Sequence, residues 1–230
     1  MSLSKSSFNR LLFLSVSFIG MVVFISSCRF SDNKQQSDKD DETVNIGKAY
    51  FDSITLFRKK AIAEFANPKT SPLDSIQFQG HYHDPNYFPI NQDFIIKAYF
   101  TIDTTGEVFG MATNTKRKPN YRVYGYLKFK VGDTLQKLTL YQNVDFMHDP
   151  EYGKYLFIPF RDKTNSKTSY GAGRYLEILI PCSDTVMLDF NMAYNPYCAY
   201  SDKWSCPLVP FENHLDVHIV AGEMIYNDNH

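Results

Sequence analysis

From Phe78 onward the chain runs as short stretches of aromatic, β-branched and aliphatic residues separated by turn signals. Such runs favour strands. They predict strands over 93–102, 107–113, 121–130, 135–142, 155–160, 174–180, 186–191 and 216–226. Thr105-Gly106, Pro119-Asn120, Gly132-Asp133 and Ser183-Asp184 mark turns between several of them. Upstream, residues 48–66 carry Ile54, Phe57, Ile62 and Phe65 at helical spacing with charges mainly between them, so one helix with a single apolar stripe is predicted there. Asn67-Pro68 ends it, because a residue before proline avoids the α region. Many short strands without intervening helices predict a mainly β fold, an antiparallel sandwich or barrel with one N-terminal helix, in a single domain over 47–230.

The N-terminus has a different pattern. Lys5 and Arg10 precede a mostly apolar stretch, Leu11 to Ile25, followed by Ser26, Ser27 and Cys28, and residues 1–27 contain no Asp or Glu. A basic start, a short apolar segment and small residues before a cut describe a secretory signal. Ser-Ser-Cys resembles the lipobox of bacterial lipoproteins, which implies lipidation of Cys28 and a membrane partner through that lipid. The apolar stretch is shorter than the roughly 20 residues a spanning helix needs; a non-cleaved anchor is the alternative. Residues 28–46 are polar and charged with one aromatic and cannot bury a core, so they are expected to form a disordered tether.

Composition narrows the function classes. Hydrophobic residues make up 43% and charged residues 21% of the 230 residues, as in an ordinary globular chain. Removing residues 1–27 leaves 22 basic and 25 acidic residues, a net charge of −3. No basic excess is available for nucleic acid, and Lys116-Arg117-Lys118 beside Pro119 reads as a solvated turn. Neither a phosphate loop nor a nucleotide fingerprint is present, and no cofactor is expected.

Strand parity singles out several charges. Along 174–180, Arg174 shares a face with Leu176, Ile178 and Ile180, while Tyr175, Glu177 and Leu179 share the other. Along 217–225, Glu223 shares a face with Val217, Ile219, Ala221 and Ile225. Unpaired charges do not tolerate burial, so Arg174 and Glu223 are expected to pair, with Asp189 and Arg161 as further partners. Such a cluster reads in two ways. As a buried ionic network it holds turns to the core. As a site, Arg161 or Arg174 grips an anion, Asp189 or Glu223 serves as a base, and Asn191 and Asn195 orient a ligand.

Residues 194–210 form a loop dense in proline and aromatics that carries the sole tryptophan, Trp204. Its rings either meet a sugar or peptide ligand or fold back onto the core. Three cysteines remain after Cys28. A Cys198–Cys206 disulfide suits an oxidising compartment. A zinc site with His214 lacks ligands and a CxxC knuckle, and a Cys198 nucleophile served by His214 or His218 has no spacing rule behind it. His81 and His83 flank Tyr82 as a turn feature.

Three segments carry a family resemblance: FIPFRDKTNSKTSYGAGRY at 157–175, LDFNMAYNPYCAYSDKWSCP at 188–207 and ENHLDVHIVAGE at 212–223. Together, with a weaker SPL at 71–73, they resemble the domain of unknown function 1684 family. The resemblance implies a shared β-rich domain and a shared polar cluster, and it implies no reaction. The candidate ligand-binding residues also include Asp162, which with Arg161 ends an apolar strand before a polar, Gly-bearing turn, and Tyr170, Tyr194 and Asn213. The position of His214, usually Arg or Lys in relatives, is a departure.

Three functions stay open at this level. The domain is a membrane-anchored binding module for a small molecule, sugar or peptide; a hydrolytic enzyme using Arg174, Asp189 and Glu223; or an envelope interaction protein without a small ligand. A concave polar pocket with an apolar floor separates the first two from the third.

Overall fold

The computed structural model describes residues 39–80 and 82–226, which fall into two compact units divided between Glu64 and Phe65. Helix α1 spans Lys39–Phe65. It ends before Asn67-Pro68 as expected, but it begins earlier than the predicted residue 48, inside the stretch read as tether. Its polar first turns carry no apolar stripe, so periodicity could not mark them. The signal segment, Cys28 and His81 lie outside the described residues. Among the described residues no helix is long and apolar enough to cross a membrane.

A second helix, α2 (Ser75–Gly80), is set by its cap. Asp74 Oδ1 accepts from the Ile76 and Gln77 amides, and Gln77 reaches back to the Asp74 amide. This reciprocal arrangement satisfies helix-end donors that would otherwise lack partners.

Seven strands form one antiparallel sheet curled into a half-barrel: β1 (Ile95–Ile102), β2 (Val108–Gly110), β3 (Asn120–Val131), β4 (Thr134–Asn143), β5 (Tyr155–Phe160), β6 (Arg174–Leu179) and β7 (Thr185–Asp189). The order is β6-β5-β4-β3-β1-β7, with β2 attached to β3. A bulge between Val123 and Gly125 shifts the β3–β4 register and sharpens the local twist. The inner face packs Leu127, Phe129, Leu138, Leu140, Leu156, Ile158, Phe160 and Leu188 into the main core. The cover over this face is an irregular segment contributing Phe190, Ala193, Leu215, Ile219 and Ala221.

Residues 216–226, predicted as a strand, form none. The segment is extended, with Ile219, Ala221 and Glu223 buried and His218 and Val220 exposed, so the alternation in the sequence is real. Its backbone finds partners outside the ladder: Lys163 N donates to Val217 O, Glu223 N to Ala193 O, and Phe88 N to Gly222 O. Gly222, at φ +77°, lets this segment come close to the Phe190–Ala193 main chain. A Cβ there would stand 2.6 Å from Ala193 O, so only glycine fits.

Candidate functional site

Arg174 opens β6 with its side chain wholly buried. One guanidinium nitrogen donates to Ala221 O and Glu223 O, and the other to Ile219 O at 2.8 Å and Asp162 Oδ2 at 2.9 Å. Three alternate carbonyls of the C-terminal segment thus end on one side chain, which replaces the missing sheet ladder. Asp162 Oδ1 accepts from the Thr164 and Ile219 amides, so the carboxylate joins three pieces of chain. Burial pulls the Arg174 pKa down, opposed by the charges of Asp162 and Glu223. The ring faces of Phe88 and Phe160 flank the cation at 5.7 and 5.3 Å.

The expected pairing therefore needs correction. Arg174 and Glu223 are both buried, but the ion-pair partner of Arg174 is Asp162. Glu223 gives Arg174 its main-chain carbonyl. Its carboxyl group takes hydrogen bonds from Asn195 N, at 2.8 Å, and from the Tyr200 hydroxyl. Burial pushes Glu223 up to about 7, with these bonds and Arg174 acting against the rise. Asn195 Nδ2 donates to Met224 O.

The remaining candidates disperse. Asp189 ends β7 and accepts from Asn191 N, and the buried Asn191 amide pairs with both main-chain groups of Asn91. Asn213 is fully buried where β4 and β5 share a single registered pair. It bonds Thr139 N, Thr139 O and Pro159 O, bridging the gap between the two strands. Arg161 is half-buried and holds Asn213 and Leu215 through its main chain; burial, with the Arg161 charge adding to it, keeps His214 below the ordinary histidine pKa.

Trp204 turns inward and is 5% exposed. Its indole donates to Pro72 O at 2.6 Å, and Lys203 donates to Leu73 O, so the loop clasps the Ser71–Leu73 turn. Trp204→Phe should cost about 1–3 kcal/mol, the usual result of orphaning a buried carbonyl. An unchanged thermal midpoint in this variant would show that the clasp carries no stability. Tyr170 is half-buried and donates to Cys198 O at 3.2 Å. Cys198 and Cys206 are free thiols, with Cys198 N donating to Cys206 Sγ at 3.2 Å. Among the described residues no three His, Cys, Asp or Glu converge to hold a metal.

The outer face of the sheet brings the candidate Tyr194 together with groups to which sequence reasoning assigned no role. Met111, Tyr121, Tyr141, Phe157 and Tyr175 form a second apolar cluster there. Glu177 lies beside it, and its carboxylate is hydrogen-bonded by the Tyr194 hydroxyl while burial pushes its pKa to about 7. Next to these rings is a pocket of about 410 Å³ lined by Asp103, Thr105, Glu107, Phe109, Val123 and Tyr126. Tyr126 Oη donates to Asp103 Oδ2 at 2.9 Å, and the Thr105 amide and hydroxyl bond Oδ1. These donors lower the Asp103 pKa, so its charge is present at neutral pH. Lys137 Nζ covers the Tyr126 ring at 4.0 Å. The only sequence signal for this place was the turn at Thr105-Gly106, because Asp103 and Glu107 there look like ordinary solvated turn residues.

Residues 80–224 match the model of a protein family of unknown function, DUF1684. The chain belongs to this family. The matched span contains the half-barrel, the Arg174–Asp162 network and the pocket. A solution NMR structure of an uncharacterised protein from Haloarcula marismortui is similar at 30% identity and a TM-score of 0.61, covering 80% of this chain and 97% of that one. No curated protein matches the chain.

Proposed function

We propose that this DUF1684 member is exported, lipidated at Cys28 and held at a membrane surface, where its half-barrel works as a binding module. The outer-face pocket carries this reading. Its volume falls in the range of small-ligand sites, and it combines an apolar floor of Phe109, Val123 and Tyr126 with carboxylates at Asp103 and Glu107. Two acids beside aromatic faces favour a ligand rich in N–H or O–H donors, such as an amino sugar or a basic peptide. The hydrolase reading loses its support, because Arg174 and Glu223 are enclosed and engaged with main chain, out of reach of a substrate.

Thermal-shift measurements against amino sugars, polyamines and basic dipeptides test the module. A ligand at 100 times its Kd adds about 2.7 kcal/mol to stability. At least one class should raise the midpoint of the wild type and fail to raise that of Asp103→Asn. If millimolar concentrations of all three classes leave the wild type unmoved, the pocket is not a ligand site. Anchoring is tested separately. Cys28→Ser should release the protein from the membrane fraction and remove the lipid mass from its N-terminus, and identical fractionation of the two proteins would refute lipidation.

A further inference from the structure

The thiols of Cys198 and Cys206 belong to neither the buried network nor the pocket, and the fold brings them into contact. Cys206 is 2% exposed, and its main chain is locked on both sides by Asn114: Cys206 N donates to Asn114 Oδ1 at 2.8 Å and Asn114 N donates to Cys206 O at 3.1 Å. Cys198 is half-buried on the short 3₁₀ turn Tyr197–Ala199. Its amide points at Cys206 Sγ, and the Tyr170 hydroxyl lies 4.0 Å from its own sulfur. The third thiol, Cys182, is exposed and apart from this pair.

The two sulfurs are chemically unequal. Hydrogen bonds from Cys206 and Tyr170 favour the Cys198 thiolate and lower its pKa against the effect of burial. The Cys206 thiol, which shares its proton towards Cys198 and is more deeply buried, is pushed up. A thiolate that can be reached beside a protonated, enclosed thiol is the division of labour that disulfide exchange requires.

We propose that Cys198 and Cys206 form a thiol–disulfide exchange site, with Cys198 attacking an external disulfide, protein or low-molecular-weight, and Cys206 resolving the product. In the first step the Cys198 thiolate bonds to one sulfur of the external disulfide, whose S–S bond breaks and releases one thiolate. In the second, Cys206 gives up its proton and its sulfur attacks Cys198 Sγ. The intramolecular bridge forms and the second external thiolate leaves. Counted from the dithiol, the protein loses two electrons and two protons, one when the Cys198 thiolate forms and one from Cys206, and the two released thiolates take up two protons to become thiols. Tyr200 and Trp204 lie within the loop that the bridge closes, and each is held by a hydrogen bond, to Glu223 and to Pro72 O. Closure therefore constrains the segment that reaches both the buried acid and the Ser71–Leu73 turn.

The test uses the full-length chain carrying Cys182→Ser, which removes the exposed competitor. The reduced protein is equilibrated in oxidised and reduced glutathione, acid-quenched, labelled with a maleimide and mapped by mass. The expected product is an intramolecular Cys198–Cys206 bridge with neither cysteine labelled, and with a thermal midpoint a few degrees above that of the reduced form. With Cys206→Ser added, glutathione should remain trapped on Cys198; with Cys198→Ser added, no adduct should form. Full labelling of both cysteines after excess oxidised glutathione overturns the proposal, as does an adduct carried by Cys206. If either serine variant fails to fold, the parent decides the order of attack. One equivalent of iodoacetamide at pH 7 should modify Cys198 at least tenfold faster than Cys206, and equal or reversed rates reject the assignment.

Discussion

Asp162→Ala lowers the stability of the folded domain by about 3–5 kcal/mol, the range found when one partner of a buried ion pair is removed. Arg174 is 0% exposed, and among the described residues its guanidinium has one carboxylate within ion-pair distance, Asp162 at 2.9 Å. The variant leaves the cation without its ion-pair partner, facing carbonyl dipoles, two ring faces and the more distant Glu223, and orphans the Thr164 and Ile219 amides that Asp162 Oδ1 receives. In urea this appears as a large fall in the denaturation midpoint at unchanged slope. Arg174→Met alone frees the carbonyls of Ile219, Ala221 and Glu223, so it is damaging by a different route. The two losses should be strongly non-additive in the double variant, because the charge has gone from both sides. A loss below about 1 kcal/mol for Asp162→Ala would mean that the C-terminal segment is held by packing alone and that the pair is incidental.

Stability falls as pH rises from about 5 to about 8, and Glu223→Gln removes much of that slope. Burial raises Glu223 from its ordinary 4.5 to about 7 in the folded protein. Between those values the folded state binds the extra proton, so stability decreases with rising pH. The contribution is fully present below about 4.5 and lost through about 7. A shift of this size corresponds to about 3 kcal/mol. Glutamine resembles the protonated acid and does not ionise, so the variant should match the wild type most closely near pH 5 and exceed it near pH 8. Glu177 is raised for the same reason, burial, and to a similar value. It adds to the slope with the same sign and leaves a residual dependence in the variant. Chemical denaturation at a series of pH values decides the matter, and a wild-type profile that rises between pH 5 and 8 would contradict the picture of Glu223 as a proton-holding core acid.

Both effects arise from one device. An extended segment at the end of the chain covers the open face of the half-barrel without joining the sheet. Extended backbone carries donors and acceptors that must find partners once buried. Arg174 and Asp162 satisfy carbonyls and an amide, and Glu223 receives the Asn195 amide and the Tyr200 hydroxyl from the loop beside it. Charged groups suit this role because one guanidinium presents several donors in a fixed fork. Asn213 and Asn191 do the same with neutral amides, each matching a donor and an acceptor of nearby main chain. Most of the polar residues that looked misplaced in the sequence are thus replacements for absent ladder bonds.

Much of this was legible in the amino-acid order itself. Runs of aromatic, β-branched and aliphatic residues between turn signals placed the seven strands to within a few residues, because bulky side chains suit extended backbone whatever it later packs against. Side-chain parity within such runs put Arg174 and Glu223 inside. It could not say that 216–226 lacks a ladder, since alternation reports which side is covered and not what the backbone bonds to. Long-range partners were likewise out of reach: Asp162 meeting Arg174, the Trp204 indole meeting Pro72 and Cys198 meeting Cys206 depend on where loops return over the sheet. The pocket is the clearest case. Asp103, Glu107, Phe109, Val123 and Tyr126 come from two adjoining strands and a turn, and only the pairing of those strands brings their side chains to one concave surface. What the sequence by itself determined was the class of fold and the residues that need burial or partners; tertiary structure decided who the partners are, because burial is a local preference while pairing is a matter of geometry between distant segments.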